Sequence, residues 1–156
     1  MQKKKKMIKK PNEISEKILE QIIQLVLAGE QISHGQLKSN LLKADYIAFT
    51  EEDNLVTTTA TLKNPFDSYR KRVYTESKSG IRPTNQKELG YIATNEEFEG
   101  RRYCSRLLEE FKPYFDNEPI FATTRKQSMI HILRKFKFRV VGEPYKMDLN
   151  LLVNHE

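Results

Sequence analysis

The sequence predicts a mixed α/β protein in which helices cover the faces of a central β-sheet within a single domain. Three observations predict this fold class. The chain has 156 residues, which is enough to bury the core of one domain. Aromatic residues make up 10% of the chain, which argues against disorder. Apolar residues recur at helical spacing early in the chain, and strand-like segments alternate with helix-like ones later.

The first half predicts two helices followed by two strands. Apolar residues at helical spacing predict a first helix, with Asn12 as its N-cap and Gly29 near its end. Ser33 is a candidate N-cap for a second helix. A strand at 46–49 then meets a tight turn, and the Val- and Thr-rich segment Leu55–Leu62 predicts a strand that pairs back on it.

The second half begins with the polar segment from Pro65 to Pro83, for which a short helix followed by a loop is predicted. Strands and helices then alternate, which favours a mixed sheet. The predicted elements are a strand Leu89–Thr94, a helix after Gly100, a strand Ile120–Thr124, a helix Ser128–Phe136, and strands at 138–141 and 147–152.

The positive charge of the sequence is concentrated at one end. The formal net charge is +6, and residues 1–11 hold six lysines and no acid, so the rest of the chain is balanced. A dense lysine run repels itself and stays solvated. The sequence therefore predicts a basic disordered tail over residues 1–11 and a folded domain over residues 12–156. Salt-sensitive binding of RNA through the tail is an alternative. It is not favoured, because the remainder of the chain has no net basic charge.

Composition excludes several classes of protein. No apolar run approaches the roughly 18–20 residues of a membrane span, and no hydrophobic stretch follows the basic start as in a secretory signal. One cysteine cannot form an internal disulfide, and one cysteine with three scattered histidines offers no zinc site. These features indicate a cytoplasmic protein without a metal.

A strand, a glycine turn and a helix follow one another around Gly100, and this order is typical of phosphate-binding sites. The first amides of a helix point outward at the positive end of its dipole. Gly100 permits close backbone approach, and Arg101, Arg102 and Arg106 add positive charge. A ligand with several phosphates fits this pattern, although an ordinary turn beside a solvated basic face fits it too.

Two segments, ELGYIATNEEFEGRRYCSRLLEEF and ATTRKQSMIHILRKFKFRVVGEPY, resemble the GNAT superfamily of acetyl-CoA-dependent N-acetyltransferases. The loop Glu97–Arg102 lies where that family has Arg/Gln-x-x-Gly-x-Gly/Ala, and Gly100 keeps the family identity. Leu107 and Leu108 correspond to the paired leucines of the following helix. The resemblance covers about residues 88–145 and implies a GNAT-like mixed sheet flanked by helices.

The resemblance also implies where acetyl-CoA binds. In the family, the pantetheine arm lies along the strand that corresponds to Leu89–Thr94, which is splayed from the following parallel strand, and backbone amides of the loop hold the pyrophosphate. The cofactor-binding residues implied here are Ile92, Ala93, Thr94, Glu99, Gly100, Arg101, Arg102, Tyr103, Cys104 and Gln127.

The implied reaction is direct attack of an amine on the thioester, for which a base must remove a proton. Glu88 occupies the position of the family's glutamate base, although a solvated carboxylate at the end of a strand is the alternative. Leu133 lies where many relatives have the tyrosine that protonates the CoA thiolate. Water or a phenol such as Tyr91, Tyr103 or Tyr145 would then supply that proton.

Cys104 lies beside arginines at the start of a helix, where a thiolate would be favoured. A structural cysteine is nevertheless the preferred interpretation, because no histidine lies near it in sequence. The segment Phe66–Arg82 is the best candidate for acceptor specificity, because loops over a sheet commonly shape such sites.

The sequence thus predicts an N-acetyltransferase that moves the acetyl group of acetyl-CoA to an unidentified primary amine. One alternative is a GNAT-fold binding module with weak or no catalysis. Another is a toxin-like acetyltransferase acting on aminoacyl-tRNA. No membrane partner is expected. The sequence does not define the oligomeric state, and a dimer is one alternative.

Overall fold

The computed structural model describes residues 4–155. Within them the chain forms seven β-strands, five α-helices and three short 3-10 turns. The strands are β1 (Lys4–Lys9), β2 (Tyr46–Glu52), β3 (Leu55–Lys63), β4 (Lys87–Thr94), β5 (Ile120–Thr124), β6 (Arg139–Tyr145) and β7 (Leu149–Val153). The α-helices are α1 (Glu16–Leu27), α2 (His34–Leu42), α3 (Asp67–Glu76), α4 (Tyr103–Phe111) and α5 (Gln127–Arg134).

The strands form one mixed sheet in the order β1-β2-β3-β4-β5-β7-β6. The pairs β1–β2, β2–β3, β5–β7 and β6–β7 are antiparallel, whereas β4–β5 is parallel. The predicted fold class, a mixed sheet flanked by helices, is therefore confirmed. The helix predicted after Pro65 is α3, and the strands predicted in both halves are present with ends shifted by a few residues.

The chain forms two compact units, and each is discontinuous in sequence. The first contains the described residues up to Asn64 together with Gly90–Lys112. The second contains Pro65–Leu89 and the described residues from Pro113 onward. Strand β4 therefore contributes its start to the second unit and its end to the first.

The first unit has a core of apolar side chains from α1, α2, β2 and β3. Ser15, not Asn12, is the N-cap of α1, and its hydroxyl accepts a hydrogen bond from the Ile18 amide at 3.2 Å. Asn12 lies instead in the 3-10 turn Pro11–Glu13, because the chain turns once more before the helix begins. The buried core side chains include Leu19, Ile22, Ile23, Val26, Leu37, Leu41, Ile47, Phe49 and Val56.

The prediction of a disordered basic tail is wrong for the part of residues 1–11 that the structure describes; residues 1–3 lie outside it. Lys4–Lys9 forms β1 at the edge of the sheet. The reason is complementary charge and apolar packing. Lys4 and Lys5 lie opposite Glu52 and Glu51 in the register with β2, and Met7 packs against the core.

The second unit has its own apolar cluster, formed by Val73, Tyr74, Phe121, Val141, Leu151 and Val153. The β6 strand approaches the end of α3 closely at Gly142, which has a φ of +67°. A Cβ atom there would lie 2.1 Å from the Ser77 carbonyl oxygen. The neighbouring Glu143 amide donates a hydrogen bond to that same carbonyl at 2.6 Å. Only glycine fits this contact.

Candidate functional site

The connection from β4 to α4 is a short loop in the first unit, and hydrogen bonds between residues close in sequence define its start. The Asn95 carboxamide oxygen accepts a hydrogen bond from the Glu97 amide at 3.0 Å, which starts a 3-10 turn over Glu96–Phe98. Gly100 and Arg102 then adopt left-handed conformations, with φ of +78° and +63°. These two residues reverse the chain and allow α4 to begin at Tyr103.

The start of α4 has amide groups available to a ligand. Arg102 is the N-cap, and its side chain makes no capping hydrogen bond. The first amides of an α-helix have no acceptor within the helix. A Cβ atom on Gly100 would meet nothing within 4 Å, so the space above its backbone is open. Arg101 and Arg106 are exposed nearby in sequence. Outward amides, open space and cations together suit an anion such as a phosphate.

The Glu99 amide is already engaged, because it donates to the Glu96 carbonyl at 3.3 Å. The amides left for a ligand in the predicted loop are therefore those of Gly100 to Cys104. Ile92, Ala93 and Thr94 precede the loop in β4 with half-buried side chains.

Tyr103 anchors the start of α4 to the sheet of the same unit. Its hydroxyl donates a hydrogen bond to Glu52 Oε1 at 2.8 Å, and Lys4 Nζ lies 4.1 Å from the centre of its ring. Burial raises the pKa of the Tyr103 phenol, and the hydrogen bond to Glu52 raises it further. This hydroxyl is therefore a poor source of a proton for a thiolate.

Cys104 follows Tyr103 in the first turn of α4 and is a free thiol. Burial raises the pKa of this thiol to about 11. At neutral pH the thiol thus stays protonated, in contrast to the thiolate that a helix N-terminus and arginines would favour. The structure therefore supports a packing role for Cys104 and not a role as a nucleophile.

Strand β4 contains an irregularity that the sequence does not signal. Tyr91 has a φ of +48°, which is uncommon for a residue with a bulky side chain and marks local strain. Its hydroxyl accepts a hydrogen bond from Nδ2 of the Asn40 side chain at 2.9 Å, and Lys63 Nζ lies 4.0 Å from its ring centre. These contacts hold Tyr91 in place and engage its hydroxyl. The parallel pairing of β4 with β5 involves Lys87 and Glu88, before this point.

Glu88 lies in the second unit and is 2% exposed. Its Oε2 atom accepts hydrogen bonds from the Tyr69 hydroxyl at 3.2 Å and from the Thr123 hydroxyl at 3.5 Å. Burial raises the pKa of Tyr69, and the charge of Glu88 adds to that effect. The alternative of a solvated carboxylate at the end of a strand is therefore wrong. A buried carboxylate held by hydroxyl groups is suited to proton transfer.

Two further phenols lie in the second unit: Tyr74 belongs to its apolar cluster and Tyr145 packs against it. The cluster includes Phe121, which is paired with Glu88 in the sheet. Neither hydroxyl has a hydrogen-bond partner within the described residues 4–155. Burial raises the pKa of each phenol to about 12. Of the three phenols proposed from the sequence in place of Leu133, Tyr103 donates its proton to Glu52 and Tyr91 accepts from Asn40, whereas the Tyr145 hydroxyl has no partner among residues 4–155. The sequence gives no signal for the position of Tyr74, because its contact with Phe121 depends on how α3 packs on the sheet.

The remaining predicted site residues lie in α5. Gln127 is its exposed first residue, whereas Leu133 is 1% exposed and belongs to the core. The structure gives Leu133 a packing role, and it carries no group that could donate a proton.

Two kinds of feature are absent from the part of the chain that the structure describes: a cluster of metal ligands and a membrane-spanning helix. In residues 4–155, no three His, Cys, Asp or Glu side chains come together as a set that could hold a metal ion. No helix in the same range has the length and apolar character needed to cross a membrane.

Comparison with known proteins gives a match in structure but none in sequence. No protein-family model matches the sequence. No curated protein matches it either.

Solved structures match nearly the whole chain. An acyl-CoA N-acyltransferase from Pseudomonas aeruginosa has a TM-score of 0.71 at 13% identity, covering 98% of this chain and 100% of its own. ElaA from Escherichia coli has a TM-score of 0.73 at 13% identity with the same coverage. A GNAT-family acetyltransferase from Streptococcus agalactiae has a TM-score of 0.70 at 16% identity, covering 97% and 95%. At these identities the matches define the fold of the chain.

Proposed function

We propose, from the premise that the chain has the GNAT fold, that it is an acyl-CoA-dependent N-acyltransferase whose donor is acetyl-CoA. The observation that carries this proposal is the start of α4. Gly100 and Arg102 are both left-handed there, the helix has no side-chain cap, and the space above Gly100 is open. A fold alone does not define an activity, but a site with this chemistry on this fold supports one.

In this proposal the first unit binds the donor. The backbone of Ile92, Ala93 and Thr94 pairs with the pantetheine arm, as a peptide strand would. The amides from Gly100 to Cys104 hold the pyrophosphate, and Arg101 and Arg102 contact its oxygens. Roles for Glu99 and Gln127 remain predictions from the family resemblance. Acetyl-CoA supplies the activated acyl group.

Glu88 of the second unit is the proposed base. The amine nitrogen attacks the thioester carbonyl carbon, the carbon–sulfur bond breaks, and CoA leaves as a thiolate. An amine is mostly ammonium at neutral pH, so a proton must leave it before attack. The buried Glu88 carboxylate accepts this proton, and water or a phenol returns one to the thiolate.

A second candidate function is binding without catalysis. Leu133 favours it, because a buried apolar residue replaces the customary proton donor. The aminoacyl-tRNA alternative is less favoured, because Lys4 and Lys5 lie opposite acidic residues in β1–β2 and are not a free basic handle. We also propose a cytosolic location, because a single cysteine cannot form an internal disulfide, which fits a reducing compartment.

The proposal predicts that acetyl-CoA stabilises the protein. A ligand that binds only the native state adds about 2.7 kcal/mol at a concentration 100 times its Kd. We expect a saturating concentration to raise the Tm in a thermal melt. Acetylpantetheine, which lacks the pyrophosphate and nucleotide, is the control and should raise the Tm much less. Equal shifts, or no shift with acetyl-CoA, would contradict a phosphate site at α4.

A second prediction concerns the loop itself. Gly100→Val should abolish acetyl-CoA binding, measured by calorimetry, because the side chain occupies the open space over the backbone. Gly80→Val is the matched control: Gly80 has a φ of +72° and equally open surroundings, so both variants carry the same backbone strain. Arg101→Ala and Arg102→Ala should each weaken binding by about 1–3 kcal/mol. Wild-type affinity in Gly100→Val would place the pyrophosphate elsewhere.

A further inference from the structure

The lysine-rich strand β1 (Lys4–Lys9) carries charge that the proposed function does not use. The formal net charge of the chain is +6, and residues 1–11 hold six lysines and no acid. Strand β1 is the first in the order of the sheet and pairs with β2 on one side. On its other side, no strand among residues 4–155 pairs with its backbone N–H and C=O groups. A free edge of this kind is a template for an additional strand.

Two of these lysines have contacts within the first unit. Lys4 and Lys5 lie opposite Glu52 and Glu51 in the register with β2. Lys4 Nζ also lies 4.1 Å from the ring centre of Tyr103. These contacts balance the charge at the start of β1, so the edge is already formed as a strand without a partner.

Lys6 and Lys9 are the lysines of β1 that have no acidic residue opposite them. They lie opposite Thr50 and Ile47, and neither makes an ion pair with another residue in 4–155. Successive side chains of a strand project to opposite faces of the sheet. Because three positions separate Lys6 from Lys9, one of these cations projects to each face. The free edge thus has a positive charge without an acidic partner on both faces.

Two apolar side chains lie between these lysines. Met7 and Ile8 are half-buried, and Met7 packs against the core of the first unit. A strand added at this edge would place its own side chains beside them, because neighbouring strands lie about 4.8 Å apart. The complementary strand therefore has apolar residues at its centre and acidic residues on either side.

The charge of the edge discriminates between the possible occupants. A second copy of β1 would place two lysine-rich strands side by side, and like charges opposite each other destabilise a strand pair. The phosphates of a nucleic acid would neutralise the lysines, but a phosphodiester chain has no alternating N–H and C=O groups to pair with the backbone of β1. An acidic peptide in an extended conformation matches both the charge and the hydrogen-bonding pattern.

We propose that the free edge of β1 binds an acidic, extended peptide segment of a partner protein as an additional strand of the sheet. The backbone of the segment pairs with β1, its carboxylates lie beside Lys6 and Lys9, and its apolar side chains lie beside Met7 and Ile8. Backbone hydrogen bonds supply affinity in such complexes, and side-chain complementarity supplies specificity. This interaction surface is independent of the proposed acyl transfer.

The first test is fluorescence anisotropy of the full chain with a labelled peptide of sequence Glu-Glu-Val-Val-Glu-Glu. This sequence reads the same in both directions, so it fits parallel and antiparallel pairing alike. We expect it to bind about tenfold or more tightly than Lys-Lys-Val-Val-Lys-Lys, because the reversed charges repel β1. N-methylation of every backbone amide keeps all the charges but removes the N–H donors, and it should weaken binding by about tenfold or more.

The second test changes the edge itself. Lys6→Gln/Lys9→Gln should weaken binding of the acidic peptide by about threefold or more, since each exposed ion pair contributes modestly. Lys17→Gln/Lys135→Gln is the matched control, because it removes the same charge from exposed positions outside β1. It should bind the peptide as the wild type does. If a thermal melt shows that the Lys6→Gln/Lys9→Gln protein is unstable, the N-methylated peptide on the wild type decides alone.

Four results would overturn the proposal. They are no binding of the acidic peptide to the wild type, equal binding of the N-methylated peptide, normal binding by a stable Lys6→Gln/Lys9→Gln protein, and tighter binding of a uridine oligonucleotide than of the peptide. Self-association of the wild type that the acidic peptide disrupts would assign the edge to a second copy of the chain instead. Acetyl-CoA titration of the same samples reports separately on the proposed function.

Discussion

Replacing Glu88 with glutamine is expected to lower the rate of acetyl transfer by about 10²–10⁴ while leaving acetyl-CoA affinity nearly unchanged, because a positioned base contributes a factor of this size. Glutamine keeps the shape of the side chain and can still accept from Tyr69 and Thr123, which both donate to Glu88. The measurement is turnover at saturating acetyl-CoA with a primary amine, together with calorimetry for the donor.

The pH profile of the rate distinguishes the loss of a base from a general loss of activity. As the pH rises towards the pKa of the acceptor amine, more of the amine is already neutral, so the loss in Glu88→Gln should shrink. Glu109→Gln, on the exposed side of α4, is the control and should leave the rate unchanged at every pH. Wild-type turnover in Glu88→Gln at neutral pH would exclude Glu88 as the base. Equal, very slow turnover in both proteins, with CoA bound, would favour the binding module.

Replacing Gly142 with alanine is expected to give the largest loss of stability. The new Cβ would lie 2.1 Å from the Ser77 carbonyl oxygen and 2.9 Å from two backbone atoms of Ser79. These atoms are backbone, so β6 must move, and the hydrogen bond from Glu143 to Ser77 would be lost with it. Strain in the left-handed region adds about 1–2 kcal/mol. We expect a total destabilisation of about 4 kcal/mol or more.

Gly80→Ala separates the crowding at Gly142 from the cost of its backbone conformation. Gly80 has a φ of +72° in the same unit, and a Cβ atom at this position would meet nothing within 4 Å. It should lose only the strain of about 1–2 kcal/mol. The difference between the two variants in urea unfolding is the contribution of the contact with Ser77. Equal losses in the two variants would contradict the close approach of β6 to that segment.

Most of the fold could be predicted because its signals are local. The Val- and Thr-rich segment Leu55–Leu62 and the strand Leu89–Thr94 carry strand composition within themselves, and Ser33 marks the start of α2. Strand β1 could not be predicted from its own residues. Six residues that include four lysines form a strand only because β2 presents acids opposite two of them, some 50 positions later in the chain.

In the candidate site, too, the features with a local sequence signal were predictable and those that depend on tertiary packing were not. The loop around Gly100 was predictable, because a glycine and arginines before a helix are a local pattern. The surroundings of Glu88 were not, because Tyr69 reaches it through the position of α3 and Thr123 reaches it from the neighbouring strand β5. The left-handed backbone of Tyr91 also has no local signal, since tyrosine rarely adopts it.

The division of the chain into two discontinuous units has a consequence for its synthesis. The first unit is incomplete until α4 has left the ribosome, because it includes Gly90–Lys112 as well as the earlier segment. The second unit begins with Pro65–Leu89 but has to wait for residues beyond 113 before its apolar cluster can close. During translation the nascent segment Pro65–Leu89 therefore emerges with Val73 and Tyr74 uncovered, and it is here that we expect chaperones to bind the growing chain.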